Sequence, residues 1–367
     1  MNNPKKSYKK SFLKVIAFLS LISHMYAQKL KSQANSVYPI GLVLQDKNGI
    51  QFSWPGSGIE YIAGNEQANF TIFQDNNRIS FNNFLGIEVN GKWVAKYEIK
   101  DGKNKLNPHQ ITTIKEGDSV RIIKLTESSV GTIHLILERN WEMVNKRLNN
   151  TKKTIHFIGD SFTCGYGNEV EVEAPPKGNP QTGFHPENEN NYFAWGSIAA
   201  RMLNMNYVCT AYSGKGLIRN FDGSENQTMM ELWKYLLPES GLNTYKPYAD
   251  YFVIHLGTND FFNGVLDSSK FVSSLVSLAE ECLGYNSKAS VILCVSNGLT
   301  DLWPKGEMRR SFHQRYVVSA QEYLIRQKNK NSVFVLDLPT QEPPIRRRLA
   351  SKQKNTPANG SHVSKSD

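Results

Sequence analysis

The spacing of hydrophobic and polar positions changes near residue 149. From about residue 37 to 141, short runs alternate apolar and polar residues, and the turn pairs Asn90-Gly91 and Asp101-Gly102 interrupt them. These runs occupy 51–54, 70–74, 86–88, 120–125 and 132–137. Alternation with a period of two over short runs is typical of antiparallel strands. The first part of the chain is therefore predicted to form a small β-sandwich.

After residue 149, apolar strand-like runs alternate with longer segments that carry apolar residues at helical spacing. The predicted strands are 154–158, 207–211, 251–256, 291–295 and 333–336, and the predicted helices are 194–203, 225–237, 270–283 and 314–329. Repetition of strand and helix predicts an α/β fold in which helices cover both faces of a parallel sheet. Functional groups are then expected at the carboxyl ends of the strands.

The chain of 367 residues carries a net charge of +10, but the charge lies at its two ends. Residues 1–27 contain five lysines and no acid, and 345–367 contain six basic residues and one acid, which leaves 28–344 neutral. A neutral body argues against nucleic acid as the main partner. The basic start, the apolar run 12–22 and Ala27 predict a cleaved signal peptide over 1–27, with a single membrane anchor as the alternative. Export predicts a secreted or periplasmic protein.

Four cysteines, Cys164, Cys209, Cys282 and Cys294, show no metal-binding Cys-x-x-Cys spacing. An exported protein permits disulfides, but a domain of this size does not need them. We expect free, buried thiols, and no bound metal or organic cofactor is predicted.

Three predicted strand ends carry groups suited to acyl transfer. Ser161 follows the first strand in a Gly-Asp-Ser turn, Gly214 follows the second, and Asn259 follows the third. A hydroxyl at such a position can attack a carbonyl carbon, while backbone and amide N–H groups can stabilise the resulting oxyanion. The three residues together predict a nucleophile, Ser161, and an oxyanion hole that includes Gly214 and Asn259.

These residues resemble the signature positions of the SGNH (GDSL-type) hydrolases. The longer strings 159–169 (GDSFTCGYGNE), 212–220 (YSGKGLIRN) and 256–260 (LGTND) are similar to carbohydrate esterase family 2. That resemblance implies a jelly-roll β-sandwich over 28–149 and a three-layer α/β/α hydrolase domain over 150–344. It further implies an acetyl esterase, similar to acetyl xylan esterases, that acts on acetylated polysaccharides such as xylan and mannan.

Other residues near these motifs have two interpretations each. Lys215, Arg219 and Asp260 are candidate substrate-binding residues, although exposed loop charges are usually only solvated. Asp160 is expected to cap the turn, and Cys164 to pack in the interior. Trp195, Trp233 and Trp303 could stack on sugar rings, but helical spacing favours core packing for the first two, Trp195 and Trp233.

The sequence lacks a convincing catalytic histidine. The family resemblance implies a base from an Asp-x-x-His or Asp-Trp-His segment near the carboxyl end. His156 and His255 lie inside predicted strands, His185 and His313 lie in a loop and a helix, and His362 has unmatched surroundings.

The tail 345–367 has no strand or helix pattern and reads as if out of frame. One permitted set of codons for 345–360, read one base later, encodes Tyr-Gly-Ala-Asp-Trp-His-Pro-Ser-Lys-Lys-Thr-His-Gln-Gln-Met. That peptide contains the missing carboxylate and histidine. We therefore hypothesise a frameshift near Pro343-Pro344, with an authentic divergent tail as the alternative.

Three functions remain open at this point. The first is a carbohydrate O-acetyl esterase, which fits all the motifs. The second is another SGNH esterase or lipase, and the string 213–220 argues against it. The third is a non-catalytic carbohydrate-binding protein, since the base is missing.

Overall fold

A computed structural model describes residues 36–46, 49–75, 81–137, 141–144, 151–170 and 184–340. The predicted signal peptide and the tail 345–367 lie outside these ranges. Within them, no helix is both long enough and apolar enough to cross a membrane.

The first part of the chain folds into two packed, mainly antiparallel sheets, as the alternating pattern predicts. Its strands are β1 (Ser36–Ile40), β2 (Leu44–Asp46), β3 (Gly49–Phe52), β4 (Gly58–Ile62), β5 (Phe70–Asp75), β6 (Asn83–Val89), β7 (Lys92–Ile99), β8 (Asn104–Leu106), β9 (Ser119–Lys124), β10 (Thr132–Ile136) and β11 (Glu142–Met143). One sheet has the order β11-β1-β4-β9-β6-β7, and the other has the order β2-β3-β10-β5-β8.

Alternate side chains of both sheets meet in one apolar core. Ile59 and Ile122 of the first sheet and Phe52 and Ile133 of the second are fully buried in it. The predicted Asn90-Gly91 turn joins β6 to β7, and both residues have positive φ angles, 51° and 76°. Such angles suit a tight hairpin turn, for which Asn-Gly is the favoured pair.

The second part of the chain forms the predicted parallel sheet with helices. Its elements are β12 (Thr154–Gly159), α1 (Ser161–Cys164), α2 (Trp195–Met202), β13 (Asn206–Ala211), α3 (Met229–Leu232), β14 (Tyr235–Leu237), β15 (Leu242–Thr244), β16 (Tyr251–His255), α4 (Ser268–Tyr285), β17 (Ser290–Val295), α5 (Arg309–Lys328) and β18 (Val333–Asp337). The parallel sheet has the order β13-β12-β16-β17-β18.

Helices cover both faces of this sheet. Successive side chains of a strand point to opposite sides, so one strand can pack against helices on both faces. Phe252 and Ile254 of β16 pack into a core with α4 and α5. Val253, between them, packs into a different cluster with Ala200 of α2. The predicted three-layer α/β/α arrangement after a β-sandwich is therefore confirmed.

The predicted helix over 225–237 is wrong. Only Met229–Leu232 is helical there, and the chain then forms the short strand β14, which pairs with β15. Met229, Leu232 and Trp233 are buried, so the apolar spacing reflects core contacts that a non-helical segment also makes. Pairing with β15 supplies the backbone hydrogen bonds that a longer helix would have provided.

The sandwich and the α/β unit share a buried boundary. Trp54, in the loop between β3 and β4, is fully buried in the core of the α/β unit, and its indole N–H donates to the Tyr235 carbonyl at 2.7 Å. Gly56 lies so close to Tyr207 and Asn191 that an added Cβ would come within 2.6 Å of both. The loop therefore needs glycine, since φ at Gly56 is +76°.

We expect Trp54→Ala to lower the free energy of unfolding by about 3–5 kcal/mol, because it removes a buried indole and leaves the Tyr235 carbonyl without its donor. Urea unfolding followed by tryptophan fluorescence measures the loss. Trp303→Ala is the matched control, since Trp303 is 71% exposed. Equal unfolding midpoints for the two variants would contradict this prediction.

Candidate functional site

The register of the parallel sheet brings the three predicted site segments to one edge. Gly159, the last residue of β12, lies opposite Ala211 of β13 on one side and opposite His255 of β16 on the other. Ser161, Gly214 and Asn259 follow these three strand ends within four residues. The strand that carries the nucleophile thus lies between the two strands that lead to the predicted oxyanion donors.

Ser161 is the first residue of the short helix α1, and Asp160 caps that helix. The Asp160 carboxylate accepts from the Phe162 backbone N–H at 3.1 Å, as the capping interpretation predicts. Burial raises the pKa of Asp160 to about 7. Gly159 cannot carry a side chain, because a Cβ there would lie 2.2 Å from the Thr163 hydroxyl. The turn therefore folds tightly over the end of the strand.

Gly214 lies in a turn that its neighbours hold in place. Its φ angle is +78°, which favours glycine, and its carbonyl accepts from the Phe221 N–H at 2.8 Å. The Asn259 amide donates to the Lys215 carbonyl at 2.8 Å. This bond joins the loop after β16 directly to the loop that contains Gly214.

Asp260 and Arg219 stabilise the same pair of loops. The Asp260 carboxylate is fully buried and accepts from the backbone N–H groups of Leu217, Ile218 and Arg219 at 2.8–3.0 Å. Arg219 donates to the carbonyls of Asp260 and Gly264, at 3.0 and 2.8 Å. Two of the three side chains predicted to bind substrate, Asp260 and Arg219, thus bind backbone groups of the protein instead.

Lys215 remains next to the site and half-buried. Its ammonium lies 5.6 Å from the centroid of the Tyr212 ring, and partial burial lowers its pKa. A contact between Lys215 and substrate stays a prediction.

The three candidate tryptophans differ in exposure, and the core packing predicted for Trp195 and Trp233 is confirmed. Trp233 is fully buried and Trp195 packs against the cluster beneath α2, whereas Trp303 is 71% exposed. Phe221 and Phe262 form a second exposed aromatic surface, with ring centroids 4.2 Å apart. Phe221 is tied to Gly214 through its backbone N–H, so this pair lies beside the predicted oxyanion hole.

His255 and His313 are buried and pack against aromatic rings. His255 lies between the rings of Phe162 and Trp195, and burial lowers its pKa to about 4. Its Nδ1 is 4.0 Å from Asp160 Oδ1, too far for a hydrogen bond. His313 contacts the Leu256 carbonyl at 3.0 Å, and burial lowers its pKa to about 3.

Within the described residues, no hydrogen bond joins the Ser161 hydroxyl to a histidine. His156 bonds to Thr210, and His185 is exposed beside Glu187. His362 lies outside the described residues. The four cysteines are all buried and free, as expected.

Sequence reasoning missed one residue that reaches this site from the β-sandwich. Glu127, in the loop between β9 and β10, accepts from the backbone N–H of Ser213 at 3.0 Å and also from its hydroxyl. No motif in the sequence links residue 127 to residue 213. The contact depends on how the two folded units pack.

Comparison with known proteins identifies the family. The family model described as "GDSL-like Lipase/Acylhydrolase family" matches residues 157–363, more than half of the chain. The chain belongs to the GDSL-like lipase/acylhydrolase family. The predicted resemblance to SGNH hydrolases is thereby confirmed, and the matched range includes most of the tail after residue 344.

Relatives within the GDSL-like family carry esterase names. The chain is 29% identical over 277 residues to the cellulase/esterase CelE of Acetivibrio thermocellus, covering 73% of this chain and 31% of CelE. It thus spans about a third of that relative. It is 24% identical over 313 residues to an acetylxylan esterase / glucomannan deacetylase of Cellvibrio japonicus, covering 78% of this chain and 82% of the relative.

A solved structure agrees with these relatives. A family two carbohydrate esterase from Clostridium thermocellum, in complex with cellohexaose, superimposes with a TM-score of 0.70 at 25% identity. The match covers 87% of this chain and 98% of that structure. The resemblance to family 2 carbohydrate esterases is therefore confirmed for fold and sequence together.

We expect His255→Phe to weaken the acid dependence of stability. The folded pKa of His255, about 4, lies below its ordinary 6.5, so between these values only the unfolded chain binds the proton. Stability supplied by neutral His255 is complete above pH 6.5 and is lost as the pH falls toward 4, by about 1.4 kcal/mol per unit. Urea unfolding at pH 4.5, 5.5 and 6.5 measures the slope.

The exposed His185→Gln is the control for this measurement and should keep the slope of the unmodified chain. Parallel stability profiles for His255→Phe and the unmodified chain would show that His255 does not contribute to the acid dependence of stability.

Proposed function

We propose that this chain is an exported carbohydrate O-acetyl esterase that hydrolyses acetyl esters on hemicellulose such as xylan or mannan. The observation that carries the proposal is the shared strand edge, where Ser161 lies between the loops of Gly214 and Asn259. The named activity of the Cellvibrio japonicus relative supports an acetylated polysaccharide as substrate. The cellohexaose in the Clostridium thermocellum structure supports a carbohydrate partner.

The proposed reaction begins when the Ser161 hydroxyl oxygen attacks the acetyl carbonyl carbon. The hydroxyl proton passes to a base, and the carbonyl oxygen becomes an oxyanion. Backbone N–H groups of Ser161 and Gly214 and the Asn259 amide stabilise this charge. Asn259 has two amide hydrogens, so its bond to the Lys215 carbonyl leaves one for the oxyanion.

The tetrahedral intermediate then collapses. The bond from the acetyl carbon to the sugar oxygen breaks, and the base returns its proton to that oxygen. Water hydrolyses the acetyl-serine in the second half of the reaction and releases acetate. This chemistry needs no metal or organic cofactor.

Exposed aromatic rings on the loops that follow the strands suit a sugar substrate. Phe221 and Phe262 are about half exposed and in contact with each other, and Trp303 is exposed on the loop after β17. Apolar ring faces can pack against the C–H faces of a pyranose while its hydroxyls stay in water. We propose that these rings hold the polysaccharide over Ser161.

The base is the part of the machinery that the described residues do not supply. We propose that the shifted reading frame after Pro344 encodes it, in the Asp-Trp-His peptide, and that the tail 345–367 replaces it in this chain. The described nucleophile and oxyanion loops then form an impaired esterase. Genomic bases for residues 338–350 that are incompatible with the shifted peptide would exclude this proposal.

We propose the domain limits from the sequence: a signal peptide over 1–27, a jelly-roll sandwich over 28–149 and a hydrolase domain over 150–344. Export through the signal peptide would bring the protein to the periplasm or the medium, where polysaccharide is found. Mass determination of the mature protein would test the cleavage after Ala27.

The missing base keeps a non-catalytic carbohydrate-binding function as the second candidate. Acetate release from acetylated xylan and retention on the same polysaccharide separate the two functions. Release indicates the esterase, while retention without release indicates the binder. Release from aryl or lipid esters alone would instead indicate another GDSL-like esterase.

We expect Ser161→Ala, made in a version whose reading frame after Pro344 is restored, to reduce 4-nitrophenyl acetate hydrolysis by several orders of magnitude, because it removes the attacking oxygen. Initial-rate absorbance measurements with purified protein give the comparison. Thr163→Ser, which removes a buried methyl group in the same short helix and keeps the hydroxyl, is the control and should retain most of the rate. A Ser161→Ala variant that keeps the full rate of the restored-frame version would exclude Ser161 as the nucleophile.

We expect a version with the restored reading frame to hydrolyse aryl acetates several orders of magnitude faster than the unmodified chain. Loss of one triad member lowers the rate by about 10⁴–10⁶-fold, and the oxyanion hole and substrate binding supply the remainder. Side-by-side kcat/KM values test this. Comparable values would show that the shifted peptide does not provide the base.

A further inference from the structure

Glu127 belongs to the β-sandwich, yet its carboxylate is used by the hydrolase loop beside Gly214. One carboxylate oxygen accepts from both the backbone N–H and the hydroxyl of Ser213, and the other accepts from the Ser129 hydroxyl. The side chain is only 2% exposed. Ser213 directly precedes Gly214, so the Ser213 carbonyl and the Gly214 N–H lie in one peptide plane. By binding Ser213, the Glu127 carboxylate therefore restrains the plane that contains the Gly214 N–H.

The segment that carries Glu127 is itself fixed to the α/β unit. The Glu127 backbone N–H donates to the Glu189 carboxylate at 3.0 Å, and the Leu125 carbonyl accepts from the Asn191 N–H at 2.9 Å. Buried Lys124 donates to the carbonyls of Thr126 and Glu127, both at 2.7 Å. These bonds fix the position of the Glu127 backbone independently of its contact with Ser213.

Burial of the ionisable side chains of Lys124, Glu127 and Glu189 costs free energy. This cost indicates that the contact between Glu127 and Ser213 has a role besides packing the two units together. Desolvation raises the pKa of Glu127 and of Glu189 and lowers that of Lys124 to about 7. A buried set of charges is often no more stable than apolar residues of equal volume. We infer that the Glu127 carboxylate orients Ser213. Because it accepts two hydrogen bonds from Ser213, it fixes both the backbone and the side-chain rotamer of that residue.

We propose that Glu127 is a positioning residue for ester hydrolysis: it fixes Ser213 and so orients the Gly214 N–H toward the oxyanion. The inference rests on the proposed function, in which Gly214 is an oxyanion donor. Oxyanion donors stabilise the transition state only when their geometry is set in advance. The β-sandwich thus contributes to the reaction through one side chain, without touching the substrate.

Glu127→Ala tests the inference in the full chain, with 4-nitrophenyl acetate as substrate. Loss of an oxyanion donor costs about 10²–10³-fold in kcat, and we expect a loosened donor to cost about 10–100-fold. KM should change less than about twofold, since the ground-state ester does not depend on the oxyanion donors. In a chain without its base, the remaining rate depends on the oxyanion hole, so the effect stays measurable above the uncatalysed rate.

Glu127→Gln is the conservative variant. Its amide oxygen can accept both bonds from Ser213, and its amide nitrogen can donate to the Ser129 hydroxyl. We expect kcat within about threefold of the unmodified chain, because the geometry is retained although the charge is lost. Rescue by glutamine distinguishes positioning from a need for negative charge.

Glu60→Ala is the matched control. Glu60 is also a shielded carboxylate of the sandwich that accepts from a serine hydroxyl, that of Ser119, but it pairs with Arg121 within the same unit. Loss of Glu60 should lower the unfolding midpoint without lowering kcat. Equal losses of kcat in Glu60→Ala and Glu127→Ala would overturn the positioning role.

The outcomes separate this inference from the proposed function. If the unmodified chain does not exceed the uncatalysed rate, the proposed function fails, and the inference fails with it. If it exceeds that rate but folded Glu127→Ala keeps the full kcat, only the inference fails. Should Glu127→Ala not fold, Ser213→Ala decides: a several-fold fall in kcat supports the inference, and an unchanged kcat overturns it.

Discussion

The register of β12 with its two neighbours, β13 and β16, determines where the candidate site forms. Because Gly159, Ala211 and His255 lie at the same level, three loops begin at one edge of the sheet. A shift of one residue in either pairing would turn alternate side chains to the opposite face and separate the loops. The buried alternation of Phe252, Val253 and Ile254 between two cores makes such a shift unfavourable.

Hydrogen bonds made by three side chains then fix the loops that begin at this edge of the sheet. Asp160 caps the helix that begins at Ser161, Asn259 joins its own loop to the Lys215 carbonyl, and Asp260 gathers three backbone N–H groups. The bonds of Asn259 and Asp260 link two segments that are distant in sequence. Together the three side chains give the site its geometry before any substrate is present.

Much of the architecture could be predicted because it follows from local patterns. Period-two alternation and strand–helix repetition identify both units, and strand-end motifs identify Ser161, Gly214 and Asn259. The helix predicted over 225–237 was wrong because burial of Met229 and Trp233 mimics helical spacing. The uses of Asp260, Arg219 and Glu127 could not be predicted, since each depends on a contact between segments that are distant in sequence. For Glu127 that contact also joins the two units.

Charged and neutral groups have separate tasks in this arrangement. The groups proposed to meet the developing oxyanion are neutral, namely two backbone N–H groups and an amide. The carboxylates of Asp160, Asp260 and Glu127 are buried and bind backbone N–H groups of the protein. A carboxylate facing an oxyanion would repel it, whereas one held behind the donors fixes their direction. The acidic residues near Ser161 therefore organise the site, and the dipoles that they hold would perform the electrostatic work.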